Sequence, residues 1–224
     1  MLLFVVFGLG AVLISPLMLV LRCPERCQPV VRALWRPLLW IFELTGLVRI
    51  EADDFSAVKG SVVVANHPSL IDVMIIVSKL PKTLYVARKS LRKNPWLTAM
   101  IDCSALPSSS ELPEEAEKYL RKGWNVVIFP EGTRTPLDGR YPPLHRGAAQ
   151  LSLRTHAPVV GVRLDFSRRI LAKHQSIADL GTETVRIRLE NRGQIAMTKD
   201  VSNLHSAAIA LTALIAKCIQ AKNF

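Results

Sequence analysis

A chain of 224 residues with 29 Lys and Arg against 18 Asp and Glu, a net charge of +11, is long enough for one sizeable core and too short for two comfortable domains. Half of the residues are apolar and the mean hydropathy is +0.25, high for a freely soluble protein, so a membrane-associated part beside a globular one is expected. The four cysteines, Cys23, Cys27, Cys103 and Cys218, are too few and too scattered for a disulfide framework, which leaves a reducing compartment as the simpler reading.

Residues 1–21 carry no charged side chain, enough length to cross a bilayer or to lie deep in one leaflet, with Pro16 able to bend the run into a re-entrant hairpin. No basic residue precedes it and no small-residue cleavage pattern follows, which speaks against a removed signal peptide. Arg22, Arg26, Arg32 and Arg36 follow the run and by the positive-inside tendency keep the remainder cytoplasmic. Cys23 and Cys27 flank Pro-Glu-Arg with neither a second pair nor a nearby histidine, a poor zinc site. Residues 30–48, rich in Leu and Trp with interspersed Arg, suit a membrane interface with Trp35 and Trp40 at headgroup depth. A helix covering the core has the same pattern, and periodicity alone does not separate the two. The expected division is 1–48 as anchor and interfacial helix and 49–224 as the functional domain.

From residue 60 onward, short β-branched runs alternate with helical patterns. Strands are expected at 61–65, 84–87, 126–130, 158–164 and 184–190. In the last, Val185, Ile187 and Leu189 alternate with Arg186, Arg188 and Glu190, which predicts one wet face and a place near the sheet edge. Helices are expected at 68–80, opened by Pro68, with Asn66 as its cap only in the bland reading of that stretch, and at 94–101, with Asn94 as cap and Pro95 first. A third spans 114–122, its acids early, its bases late and Gly123 after its end. Two more, at 147–155 and 204–222, complete the set, and residues 106–113 read as a loose loop. The fold class is therefore α/β: a single domain with a central mixed β-sheet flanked by helices and preceded by N-terminal membrane-associated helices.

Two segments share one design, an apolar strand followed by polar residues at its carboxyl end: "VVVANHPSLID" and "VVIFPEGTRT". In open α/β sheets the crevice beyond the carboxyl ends of strands is where ligands bind, so both clusters can line one cleft. An imidazole titrates near neutrality and can take a proton from a hydroxyl. Asp72 follows His67 by five residues, and a histidine at the mouth of a helix can fold back so that a carboxylate in the first turns fixes its tautomer. Alone, His-x-x-x-x-Asp is a common accident. In the second segment Gly132 permits a tight turn, Glu131 can accept hydrogen bonds from a polyol or orient a base, and Arg134 presents a fork of donors matched to phosphate.

Taken together, "NHPSLID" and "FPEGTRT" resemble the signatures of the glycerolipid acyltransferases of the 1-acylglycerol-3-phosphate acyltransferase type, over about residues 61–165. The resemblance implies a glycerol-3-phosphate acyltransferase-like fold in which His67 activates the acceptor hydroxyl, Asp72 orients it, and Glu131, Gly132 and Arg134 hold the glycerol phosphate end of the acceptor. "VARKSL" matches the intervening basic block, where Arg88 and Lys89 would help hold phosphate, and "APVVGVRL" the apolar fourth block. One departure stands out: after the basic block the family usually has an aspartate-arginine pair, and here Asp102 is followed by Cys103.

The implied reaction is transfer of a fatty acyl group from acyl-CoA or acyl-carrier protein to a lysophospholipid, most simply 1-acylglycerol-3-phosphate, giving phosphatidic acid at the inner face of the cytoplasmic membrane. A thioester is already activated, so neither a metal nor a cofactor nor a covalent intermediate is required, and no Gly-x-Ser-x-Gly elbow is present. Members encoded with bacterial aryl-polyene pathways look similar in "PEGTRT…LHRGAA" and would take another acceptor. Arg146 and Gly147 in that stretch either reach a donor phosphate or merely start a helix. Cys103 lacks a nucleophile motif, and His145, His156, His174 and His205 read as isolated structural or surface residues. The class of rival is a membrane-tethered anion-binding protein using "ARKSLRK" and "RLDFSRR"; these stretches lack the aromatic interleaving of a nucleic-acid surface, and no nucleic-acid partner is expected.

Overall fold

The computed structural model describes residues 24–88, 104–138, 141–172, 175, 181, 183–196 and 203–220. The charge-free run 1–21, the helix expected at 94–101, and Lys89, Asp102, Cys103 and His174 lie outside the described residues. Twelve elements follow in order: α1 (Pro24–Leu44), β1 (Val48–Ala52), β2 (Val62–Ala65), α2 (Asp72–Lys79), β3 (Thr83–Ala87), β4 (Ala105–Pro107), α3 (Leu112–Arg121), β5 (Asn125–Ile128), α4 (Gly147–Thr155), β6 (Val159–Phe166), β7 (Val185–Ile195) and α5 (Leu204–Gln220).

The strands form one sheet in the order β1-β7-β6-β2-β5-β3-β4. Every neighbouring pair is parallel except β6 with β7. The sheet is therefore mixed, as the alternation of runs predicts, and β7 lies one strand in from the edge, outside which β1 pairs with it. Val185, Ile187 and Leu189 are buried while Arg186 and Arg188 are exposed, so the wet face read from the sequence is present.

Successive residues of a strand point to opposite faces, and the central strands use this to build two cores. Val63, Ala65, Val127 and Val162 join the cluster beneath α1 and α2, whereas Val62, Val64, Val126 and Ile128 join the cluster beneath α3, α4 and α5. An all-apolar parallel strand needs helices on both sides, which is what the βα order supplies.

Helix α1 departs from the interfacial expectation. Cys27, Val31, Trp35, Leu38, Leu39 and Phe42 are buried in the first core, so Trp35, at 2 % exposure, lies inside rather than at headgroup depth. Trp40, at 60 %, faces outward. Arg32 Nη2 and Arg36 Nε donate to Ser78 O at 3.1 and 3.3 Å, satisfying a carbonyl in the last turn of α2, where cations are favourable. No helix among the described residues is long and apolar enough to cross a membrane. Helix α1 and Val48 of β1 contribute to the same buried cluster.

Candidate active site

The two motif segments leave neighbouring strands, since β2 pairs in parallel with β5, and so arrive at the same end of the sheet. Asn66 does not cap a helix. Its amide pairs twice with Leu164 of β6, Nδ2 donating to Leu164 O and Oδ1 accepting from Leu164 N, both at 2.8 Å. This anchors the end of β2, and residues 66–71 run on as a loop, so α2 begins at Asp72 rather than at residue 68.

At that position Asp72 is fully buried and its Oδ2 accepts two hydrogen bonds, from Ser69 N at 2.7 Å and from the His67 ring at Nδ1, 2.9 Å. An ionised carboxylate can only accept, so with Asp72 ionised Nδ1 is the donor and Nε2 keeps its lone pair. The His67 side chain is 19 % exposed and stacks on Phe129, ring centroids 4.3 Å apart. The imidazole is thus held on one nitrogen, covered on one face and accessible at its edge.

The second motif clasps the backbone of the same histidine. Glu131 Oε1 accepts the His67 N–H at 3.0 Å, and Thr135 N–H donates to His67 O at 2.7 Å. The Thr135 hydroxyl meets both oxygens of Glu131, at 3.0 and 2.7 Å. Glu131, which from the sequence can either accept from a polyol or orient a base, is turned inward, 2 % exposed, with its oxygens completing the turn against His67. Phe129 and Thr135 belong to the motif and were not singled out as site residues.

Arg134 Nη1 donates to Leu171 O and Ala172 O at 2.8 and 3.0 Å. The same Leu171 carbonyl accepts the Leu70 N–H at 3.2 Å, so Arg134 is tied, through one carbonyl, to the loop that carries His67. Gly132 has φ +63°, a left-handed conformation that glycine adopts without strain. Arg88 Nη2 donates to Gly132 O. Of the expected site residues, His67, Asp72, Glu131, Gly132, Arg134 and Arg88 are therefore joined in one network.

Burial pushes the Asp72 carboxyl above its usual value, opposed by the hydrogen bond and charge of His67, the Ser69 N–H and the charge of Arg169. Glu131 is also raised by burial, against the Thr135 hydroxyl, the His67 N–H and ring charge, and again Arg169. Arg169 thus acts on both carboxylates, and its Nη1 is buried without a hydrogen-bond partner among the described residues. The sequence placed it in a basic surface stretch. Arg163 in that stretch is buried as well, 1 % exposed, holding Asp165 at 2.7 Å twice and Ile219 O at 2.8 Å. Its charge closes α5 rather than facing a polynucleotide. Arg146, offered as a donor-phosphate contact, meets His205 Nε2 at 3.3 Å.

The family model described as Acyltransferase matches residues 47–165, the stretch that holds both motifs. A 1-acyl-sn-glycerol-3-phosphate acyltransferase of Cocos nucifera is 32% identical over 135 residues, 56% of this chain and 42% of that protein. One from Bacillus subtilis (strain 168) is 33% identical over 129 residues, 54% and 63% respectively. The chain thus spans about half the length of these curated relatives. The crystal structure of the 1-acyl-sn-glycerophosphate (LPA) acyltransferase PlsC from Thermotoga maritima superposes with a TM-score of 0.62 at 18% identity, covering 88% of this chain and 80% of that one, so the α/β fold is shared. With the motif segments converging on His67 and the matched region spanning just over half of its length, the chain belongs to the Acyltransferase family.

Proposed function

We propose that the protein is an O-acyltransferase that moves a fatty acyl group from an acyl thioester, acyl-CoA or acyl-carrier protein, to the free hydroxyl of a lysophospholipid, most simply 1-acylglycerol-3-phosphate. The observation that carries the reading is the His67 imidazole, bound at Nδ1 by a buried carboxylate and clasped through its backbone by the Glu131–Thr135 turn.

In the proposed step Nε2 of His67 takes the proton of the acceptor hydroxyl as its oxygen attacks the thioester carbonyl. The C–O bond forms, the C–S bond breaks, and the imidazolium returns its proton to the departing thiolate. Asp72 stabilises the transient imidazolium, and such a positioned base contributes on the order of 10²–10⁴ in rate. Glu131 is assigned a positioning role through the His67 N–H. Gly132, Arg134, Arg88 and Lys89 are assigned to the acceptor, with Arg134 using nitrogens other than the one bound to Leu171 and Ala172.

We assign the protein to the inner face of the cytoplasmic membrane. The exposed apolar side chains Trp40 and Leu44 on α1, at 60 % and 69 %, and Leu70, three residues from His67, at 59 %, support contact with lipid, and the charge of +11 favours anionic headgroups. The test is transfer from labelled acyl thioesters, with CoA or carrier-protein donors, by the full chain in detergent to 1-acylglycerol-3-phosphate, to other lysophospholipids and to neutral monoacylglycerol. Product with the phosphate-bearing acceptor supports the reading; thioester-independent exchange between lipids, or no transfer to any acceptor, refutes it.

A further inference from the structure

Three segments converge on Gly132. A Cβ built there would stand 2.8 Å from Cδ2 and 2.9 Å from Nε2 of the His145 ring, and 3.6 Å from Nη2 of Arg88. The His145 backbone N–H donates to Pro130 O at 2.8 Å, while Arg88 donates to Gly132 O. The backbone of His145 and the side chain of Arg88 are thus tied to the Pro130–Gly132 turn, the His145 ring lies over Gly132, and both residues are exposed.

A guanidinium has five N–H donors, and one nitrogen of Arg88 goes to a carbonyl. A phosphate over Gly132 would accept from both groups. The chain also has no arginine directly after Asp102, where the resemblance would place a second phosphate contact. The neighbouring Arg146 turns to His205, which leaves His145 as the side chain of that stretch aimed at the turn.

We infer that His145 is a specificity-determining residue that, together with Arg88, contacts the acceptor phosphate across the Gly132 turn; the inference rests on the reading of that turn as part of the acceptor site. The carbon skeleton of the acceptor contributes nothing to this contact. The selection is for a phosphate monoester at the glycerol end.

The experiment compares kcat/KM for 1-acylglycerol-3-phosphate with kcat/KM for neutral monoacylglycerol in wild type, His145→Ala, His145→Lys and Arg88→Ala, all full chain in detergent with thermal melts as folding controls. Losing a charge-assisted hydrogen bond costs roughly tenfold or more, so His145→Ala is expected to lower the phosphate-to-neutral ratio by at least about tenfold. His145→Lys, which keeps a cation, is expected to restore most of it. An unchanged ratio in His145→Ala, or a ratio in His145→Lys as low as in alanine, overturns the role of His145. If Arg88→Ala lowers the ratio and His145→Ala does not, only the histidine assignment falls. If wild type transfers acyl groups to neither acceptor, the parent reading fails and this inference with it.

Discussion

Oδ2 of Asp72 lies 2.9 Å from Nδ1 of His67 and also holds the Ser69 N–H, so one buried oxygen fixes both the ring and the loop that presents it. Asp72→Asn keeps the shape and puts an amide in place of the pure acceptor, which favours the wrong imidazole tautomer. Turnover is expected to fall by on the order of 10²–10⁴ with the circular dichroism spectrum unchanged. A fall of less than about threefold would detach Asp72 from the reaction.

Thr135→Val separates the clasp from the ring. The hydroxyl lies within hydrogen-bond reach of both oxygens of the buried Glu131, at 2.7 Å from Oε2 and 3.0 Å from Oε1, and offers its one proton there; leaving a buried carboxylate short of a donor costs about 1–3 kcal/mol. Urea denaturation should report that loss, together with a lower kcat as the His67 N–H loses a firmly held acceptor. Wild-type stability in Thr135→Val would contradict the brace.

The raised Asp72 carboxyl has a consequence for stability against pH. A carboxyl whose folded value exceeds its unfolded one holds its proton more tightly when folded. Its contribution to stability is therefore complete below the unfolded value, near pH 4, and is lost as pH rises through the folded value. Glu131 has the same sign. From pH 4 upward the wild type should lose stability with pH more steeply than Asp72→Asn, by at most about 1.4 kcal/mol per pH unit for one proton. Identical slopes in urea melts would contradict the direction.

Gly161 faces α5, and a Cβ there would sit 2.2 Å from Cys218 Sγ and 3.3 Å from Arg192 Cβ. Overpacking of this kind typically costs about 1–3 kcal/mol. Gly161→Ala should be destabilised by that order, and Gly161→Ala with Cys218→Ala should recover part of it, a coupling that a double-mutant cycle measures. Additive losses would show that the strand and helix do not meet there.

How far the sequence discloses the structure varies with the kind of signal. The strands of β2, β3, β5, β6 and β7 were legible because β-branched runs and alternation are local, and α4 matches residues 147–155. The strand β1 has a readable alternation, with Val48 buried and Arg49 and Glu51 exposed, but it was masked by the apolar segment before it. The three residues of β4 acquire strand character only by pairing with β3, a tertiary fact. Helix α1 looked interfacial because apolar residues with arginines suit both a membrane surface and a core. What decides is where Trp35 and Arg36 find partners, which no period reveals.

At the site the motif residues were legible as a set, and their division of labour was not. The burial of Glu131 depends on Thr135 and the His67 N–H lying across the sheet end, which no local pattern shows. The sequence leaves the role of Asn66 open between a helix cap and part of the motif, because its partner, Leu164, is 98 positions away. Arg169 gives no local sign that its charge reaches Asp72 and Glu131. Such long-range pairings separate the resemblance, which names residues, from the geometry, which says what each one holds.

The most direct measurement is single-turnover acyl transfer by His67→Ala in the full chain, with labelled thioester and 1-acylglycerol-3-phosphate in excess. The His67 assignment requires turnover to fall by on the order of 10²–10⁴ while thermal melting and thioester binding stay near wild type. Turnover within a few-fold of wild type in a folded His67→Ala protein would contradict it.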